Sequence, residues 1–347
     1  MTSPFDMKEI QKRYSGQEIL ITGGLGMIGS AIANRAVKWG ARVSIMDSCL
    51  EPYGANVFNV RNIQDQIRIV RVDIRDKEAL QSIVIGKDIV FNLAGQVSHN
   101  DSLENPFLDA DINYLGHLNV LENLRQHNPR AMVLHAGSRL QFGRIERIPV
   151  GEEHPLHPRT PYALNKTAAE NMYLFYNQIH GLPCVLFRIS NPYGPRSQMK
   201  HSKYSMVNWF IRQAMEGKTI RVFGDGEQIR DYIFVEDLAE AFLIAAVHPA
   251  CRGQVYNVGS GVGTSFKEMA ERVVREVGGG SVAYVPWPEQ YLNVETGDYV
   301  TDIGKFSQAT SWTPKTGFEE GVRQTHEYYK EFGSHYGMDL PLGGNCP

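Results

Sequence analysis

Short apolar, β-branched runs alternate with amphipathic stretches through the first half of the chain. EILIT at 18–22, RVSIM at 42–46, IRIVRV at 67–72, DIVFNL at 88–93, AMVLHA at 131–136 and PCVLFR at 183–188 are short, continuous runs that predict buried strands. Between them, apolar residues recur at helical spacing over 27–38, 76–84, 103–126 and 161–180. This alternation predicts parallel strands joined by right-handed crossovers, with helices on both faces of one doubly wound α/β sheet. Beyond residue 190 the rhythm loosens and proline- and glycine-rich loops separate shorter elements. The expected division is therefore a first domain over 1–190 and a smaller α/β lobe over 191–347, interwoven with it.

Composition narrows the class. A chain of 347 residues, 42% apolar, can bury a large core and has room for two lobes. A net charge of -3 argues against a nucleic-acid partner, which would call for a basic patch. No apolar run reaches the roughly 18 residues of a spanning helix, so no membrane association is expected. Four cysteines lie without metal or disulfide spacing, which suits a reducing, cytoplasmic setting. No metal site is expected among the histidines, which include no HExxH.

The first strand runs into TGGLGMIG at 22–29 and then into a helix. Glycines at such a junction let backbone N–H groups close on a pyrophosphate, where the helix N-terminus favours an anion. Gly23, Gly26, Met27, Ile28 and Gly29 form the candidate cradle. Two spacings fit, one beginning at Gly23 and one at Gly24, so the tight-turn glycine stays open. Asp47 ends the second strand 18 residues beyond Gly29, where a carboxylate accepts the ribose hydroxyls and repels a 2'-phosphate. NAD is thus expected over NADP. Asp73 and Ile74 after the third strand, and Leu93, Ala94 and Gly95 after the fourth, are placed to line the rest of a Rossmann-type cofactor crevice.

Chemistry enters at TPYALNK, where Tyr162 and Lys166 stand one helical turn apart. The chain has 16 tyrosines, and Tyr162 is the only one with lysine at the fourth position after it. A phenol titrates near 10, and a neighbouring ammonium together with a nicotinamide cation favours its ionised form, so the pair can remove a hydroxyl proton while hydride leaves the same carbon. Ser138, 24 residues before Tyr162, follows the fifth strand and can hydrogen-bond the reacting oxygen.

Together these residues resemble the extended short-chain dehydrogenase/reductases that act on nucleotide sugars, over nearly the whole chain. The resemblance also rests on FNLAGQ at 91–96, NYLGHLNVLE at 113–122, RISNPYGPR at 188–196, RDYIFVEDLAEA at 230–241, VYNVGSG at 255–261 and TDIGKFSQATSWTPKTGFEEGV at 301–322. It implies catalytic roles for Ser138, Tyr162 and Lys166 and a supporting role at the cofactor for Asn113. It also implies a substrate site of Ser98, Ser138, Arg139, Asn191, Asn208, Arg230 and Asp298. Asn191 and Arg230 would face the sugar-linked phosphates, a task suited to a rigid guanidinium fork. Helices 103–126 and 161–180 resemble those that form a four-helix homodimer interface.

The chain departs from the family pattern twice. Glu295 stands where an arginine often precedes the late Gly-Asp pair, here Gly297-Asp298. Ser138 is followed by Arg139 and Leu140, whereas dehydratases and decarboxylases place an acid directly after that serine or threonine. The resemblance thus implies an NAD-dependent nucleotide-sugar 4-epimerase, of the UDP-glucose 4-epimerase kind. A 4,6-dehydratase or reductase is the alternative within enzymes, and a non-catalytic NAD-dependent sensor or scaffold is the alternative outside them.

Overall fold

A computed structural model describes residues 6–338 apart from 52 and 289–294. Its strands, in chain order, are β1 (Glu18–Thr22), β2 (Arg42–Asp47), β3 (Arg68–Arg71), β4 (Ile89–Asn92), β5 (Met132–Ser138), β6 (Cys184–Ile189), β7 (Asn191–Tyr193), β8 (Thr219–Phe223), β9 (Ile229–Phe234), β10 (Gln254–Val258), β11 (Gly263–Ser265) and β12 (Ser281–Val285). Seven of them form one sheet in the order β10-β6-β5-β4-β1-β2-β3. Every pairing in that sheet is parallel.

The period of two explains why these strands are apolar throughout. Ile19 and Ile21 enter the core on one face of the sheet while Leu20 enters the core on the other. β4 repeats the division, with Ile89 and Phe91 on the first face and Val90 on the second. Strand order reverses at β1 and β4, and a crevice opens there beyond the strands' carboxyl ends. Thr22 Oγ1 closes the back of that crevice by donating to Asn92 Oδ1 at 2.6 Å. The same oxygen accepts from the amides of Leu93 and Ala94.

Helix Met27–Lys38 packs small residues, Ala33 and Ala36 among them, toward the first core. Its outer side meets helix Val235–Val247 through Arg35, which pairs with Glu236 and Glu240. The expected helix 103–126 is interrupted. Helix His99–Glu104 ends at Asn105, whose side chain caps Pro106–Ala110 by accepting from the Leu108 amide. A wider, π-type stretch then spans Asp111–Gly116 before helix His117–His127. Helix Pro161–His180 keeps its expected bounds, started by Pro161 and the Thr160 cap and stopped by Gly181 in the left-handed region.

Past residue 190 the chain gives β10 to the edge of the large sheet, beside β6. The remaining strands make a three-stranded sheet, β11-β9-β7, and a parallel pair, β12-β8. A third core lies there among helices Met206–Met215, Phe266–Val277 and Phe318–Phe332. The cleft between that part and the β1–β4 crevice has a volume of about 1250 Å³.

Candidate active site

The β1 turn resolves the glycine ambiguity. Gly23 adopts φ +65°, and a Cβ on it would meet Ala94 at 2.9 Å, so Gly23 makes the tight turn. Gly24 must lack a side chain for another reason, since its Cβ would meet Ile45 at 2.7 Å. A Cβ on Gly29 would lie 2.5 Å from the Gly23 carbonyl, which fixes the close approach of helix to turn. Gly26 caps the helix without any side chain bonded to the first amides. Those amides belong to Met27, Ile28 and Gly29, all of which line the cleft and suit a pyrophosphate.

Asp47 ends β2 at the cleft wall, its Oδ2 accepting from the Leu25 amide at 3.1 Å and its Oδ1 from the Cys49 amide at 3.0 Å. These bonds aim the carboxylate from both sides. Burial raises its pKa, against the pull of the two amides. Asp73 also lines the cleft and is held by Arg75, whose hydrogen bonds keep its carboxyl below the usual range. Ile74, Leu93, Ala94 and Gly95 complete this wall. The fit to a dinucleotide is therefore carried by an uncapped helix end, an oriented carboxylate and backbone too close for a Cβ.

Ser138 is the last residue of β5, not a turn residue beyond it. Its hydroxyl is hydrogen-bonded to Tyr162, and its amide donates to Gln141 Oε1 at 2.7 Å. Tyr162 occupies the first turn of its helix, anchored by its amide to Ser102 Oγ at 3.1 Å. Lys166 lies a turn later, with Nζ donating to the Ala136 carbonyl at 3.0 Å and standing 5.9 Å from the Tyr162 ring centre. All three residues line the cleft beside Gly95.

The protein's own share in the activation of Tyr162 is readable from this geometry. Burial pushes the Tyr162 phenol up to about 12, opposed by the hydrogen bond from Ser138 and by the charge of Arg139. Burial also pushes Lys166 down to about 8, opposed by Asp109. The ammonium is directed to a carbonyl, so the protein alone leaves the phenol protonated at neutral pH.

The substrate-side residues divide into two groups. Arg139, Asn191 and Arg230 line the cleft together. Arg139 donates from Nε to Asn191 Oδ1 at 3.0 Å and from Nη1 to Thr296 Oγ1 at 3.2 Å. Arg230 donates from Nη2 to Glu295 Oε1 at 2.5 Å and from Nη1 to the carbonyls of Ile229 and Gly297. Burial would raise the Glu295 pKa, but attraction to Arg230 and the bonds from Arg230 and Gly297 outweigh it and hold the carboxyl below its usual range.

Ser98, Asn113, Asn208 and Asp298 do not line the cleft. Ser98 is buried and caps helix His99–Glu104. Asn113 donates to the Gln96 carbonyl and to Asp109, behind Gly95. Asn208 is fully buried with its amide spent on Gly194 and Ser205. Asp298 is exposed and accepts from the Ile229 amide at 2.9 Å. For Ser98, Asn208 and Asp298 a nearby backbone amide takes a side-chain oxygen before a ligand can, whereas Asn113 Oδ1 is buried without a partner.

His99 and Thr296 enter the cleft without any signal in the sequence. Burial and the nearby Arg139 push the His99 imidazole down to about 4, so it is neutral at pH 7. Asp109 is a further unforeseen residue. It accepts from Asn113 and Asn165 and so ties the π-type stretch to the Tyr162 helix.

Comparison with known proteins agrees with this geometry. Residues 19–259 match the NAD dependent epimerase/dehydratase family. A putative UDP-glucose 4-epimerase of Methanocaldococcus jannaschii is 31% identical over 313 residues, covering 90% of this chain and 98% of that one. A dTDP-glucose 4,6-dehydratase of Streptomyces niveus is 28% identical over 90% of this chain and 93% of its own. The crystal structure of Thermus thermophilus UDP-glucose 4-epimerase in complex with NAD superposes with a TM-score of 0.80 at 31% identity, covering 90% of this chain and 99% of that one. The chain belongs to the NAD-dependent epimerase/dehydratase family, whose members are enzymes of nucleotide-sugar chemistry.

Proposed function

We propose that this protein is an NAD-dependent nucleotide-sugar 4-epimerase. The observation that carries this reading is the segment after Ser138, which brings no acid to the sugar. Arg139 cannot donate a proton at neutral pH and Leu140 has none to give. Gln141 is spent on Ser138 and Glu170, and Phe142 is buried in a small apolar cluster. Dehydration of a 4-keto sugar needs a base for the carbon-5 proton and an acid for the 6-hydroxyl. Glu152 and Glu153 lie outside the cleft, one bonded to the Asn257 amide and the other paired with Arg147. Among the described residues the acids lining the cleft are Asp47, Asp73, Asp101, Glu104 and Glu295. The first two face the cofactor side, Asp101 is paired with Lys203, Glu104 is exposed to water, where a carboxylic acid keeps no proton at pH 7, and Glu295 is held by Arg230.

Bound NAD⁺ supplies the hydride acceptor and a positive ring near the phenol. With its phenol ionised beside that ring, Tyr162 would take the proton of the sugar 4-hydroxyl as the 4-hydride departs. Ser138 hydrogen-bonds the same oxygen as it becomes a carbonyl. Lys166, fixed to Ala136, supplies a positive field behind both. The 4-ketosugar turns over within the cleft, regains the hydride on its other face and takes its proton back from Tyr162. Asn191 and Arg230 hold the diphosphate. A panel of nucleotide sugars with identification of each product tests this reading. Return of a C4 epimer supports it, and failure to turn over any sugar nucleotide favours the sensor alternative.

We further propose that the chain works as a homodimer. Leu103, Phe107, Leu164, Phe175 and Ile179 are exposed on the helices expected to pair, Phe107 by 82%. Apolar side chains grouped on three neighbouring helices, His99–Glu104, Pro106–Ala110 and Pro161–His180, suit burial against a second copy. A cytoplasmic setting fits the free thiols of Cys49, Cys184 and Cys251.

A further inference from the structure

Arg139 begins one residue from the group that would touch the reacting carbon, because the Ser138 hydroxyl is bonded to Tyr162. Its guanidinium lines the cleft and is steadied by two neutral oxygens, Asn191 Oδ1 and Thr296 Oγ1. Those bonds use Nε and Nη1. Among the described residues Nη2 makes no hydrogen bond, yet it is not sealed from solvent. Arg139 therefore brings an unused donor edge to the cleft, one residue from Ser138.

The charges around it are unequal. Arg230 has its own carboxylate in Glu295, and that carboxylate also accepts from the amides of Thr296 and Gly297. Arg139 has no ion pair among the described residues. A cation partly withdrawn from water with no ion pair of its own is costly: burial together with Arg230 pushes the Arg139 guanidinium down to about 10, against the more distant pull of Glu295. A neutral sugar hydroxyl would not repay that cost, whereas a planar anion would match the fork.

We infer that Arg139 is a specificity-determining residue whose free edge binds a carboxylate on carbon 5 of the sugar, so that the preferred substrate is a nucleotide-linked uronate. The inference rests on the proposed C4 chemistry at Tyr162. Carbon 5 adjoins carbon 4, and Arg139 adjoins the serine that faces carbon 4. A carboxylate there has no leaving 6-hydroxyl, in keeping with the absence of an acid after Ser138. His99 shares the same corner and is influenced by both Arg139 and Glu295. Its neutral ring can donate its one N–H to the second carboxylate oxygen.

The test compares UDP-glucuronate with UDP-glucose on the purified, NAD-loaded protein, with the affinity for UDP as an internal reference. The native protein is expected to favour the uronate in kcat/KM by about 100-fold, the range of one charge-assisted hydrogen-bonded pair. Arg139→Gln should cut that preference by a similar factor, and Arg139→Lys should restore part of it through charge without the fork. A native protein that inverts UDP-glucose and refuses UDP-glucuronate overturns the inference and leaves the epimerase reading intact. If Arg139→Gln weakens UDP itself as much as the uronate, Arg139 serves the diphosphate and the inference falls. Loss of carbon dioxide from the uronate, dependent on Arg139, would uphold carboxylate binding while overturning the epimerase reading. A protein that binds none of the three nucleotides overturns both.

Discussion

Glu295 and Arg230 are joined at 2.5 Å in the part of the cleft where a diphosphate is expected. The carboxylate stands in for an anionic ligand and must yield its place on the guanidinium when one arrives. Glu295→Gln should therefore tighten UDP binding, by about tenfold for the release of one partly screened ion pair. Isothermal titration reads this directly. Unchanged or weaker binding would mean that the pair persists in the complex and that the diphosphate lies elsewhere.

The role proposed for Asp47, which two backbone amides hold against the cleft wall, is to set cofactor choice. NAD⁺ should bind more tightly than NADP⁺, because a 2'-phosphate would meet this carboxylate. Asp47→Ala should weaken NAD⁺ and narrow the difference. Equal affinities in the native protein, measured by fluorescence titration, would contradict the role given to Asp47.

Tyr162→Phe removes only the phenolic oxygen. Turnover should fall by about 10²–10⁴, the usual contribution of a positioned acid–base group, with NAD⁺ affinity close to native. Lys166→Ala should lower both, since it strips the cation that sits between Ala136 and Gly95. Full activity in Tyr162→Phe would show that another group moves the proton.

Much of this site was legible in the sequence because its physics is local. Buried parallel strands read as continuous apolar runs, and so β1 to β6 stand close to where the pattern puts them. Glycines forced by close backbone approach sit at fixed spacing, and a Tyr-Lys pair at one helical turn must share a face. Other features depended on contacts that no local pattern records. The break before Pro106 hides inside a stretch whose apolar periodicity continues across it. β10 is five residues long and lies at the sheet edge, so its pairing with β6 is set by the fold. Asn208 and Asp298 are polar residues near the site whose atoms are claimed first by Gly194 and Ile229. The direction of the Lys166 ammonium is set in the same way. Spacing placed Lys166 nearby, and only the tertiary structure turned its ammonium to Ala136.

Three histidines, two of them buried and one at the cleft, set an acid limit on stability. His99, His117 and His135 have their pKa values lowered mainly by burial, His99 to about 4. A lowered folded-state value means that the unfolded chain takes up protons first as pH falls below about 6.5. Stability is therefore intact above that pH and should be lost on descent toward pH 4, at about 1.4 kcal/mol per unit for each histidine. Urea unfolding at a series of pH values gives the slope. His135→Phe, at a ring with both nitrogens unpartnered, should flatten it by about one proton. An unchanged slope would mean that His135 does not contribute.

The chemistry at carbon 4 is most directly read by running the reaction in heavy water and locating deuterium in the recovered nucleotide sugar. Transient oxidation with return of the same hydride gives a C4 epimer with no solvent deuterium at carbon 4 or carbon 5, because the hydride is never exchanged and no base reaches the carbon-5 proton. Deuterium at carbon 5, with accumulation of a 4-keto-6-deoxy sugar from the native substrate, would contradict epimerisation and assign the cleft to a dehydratase.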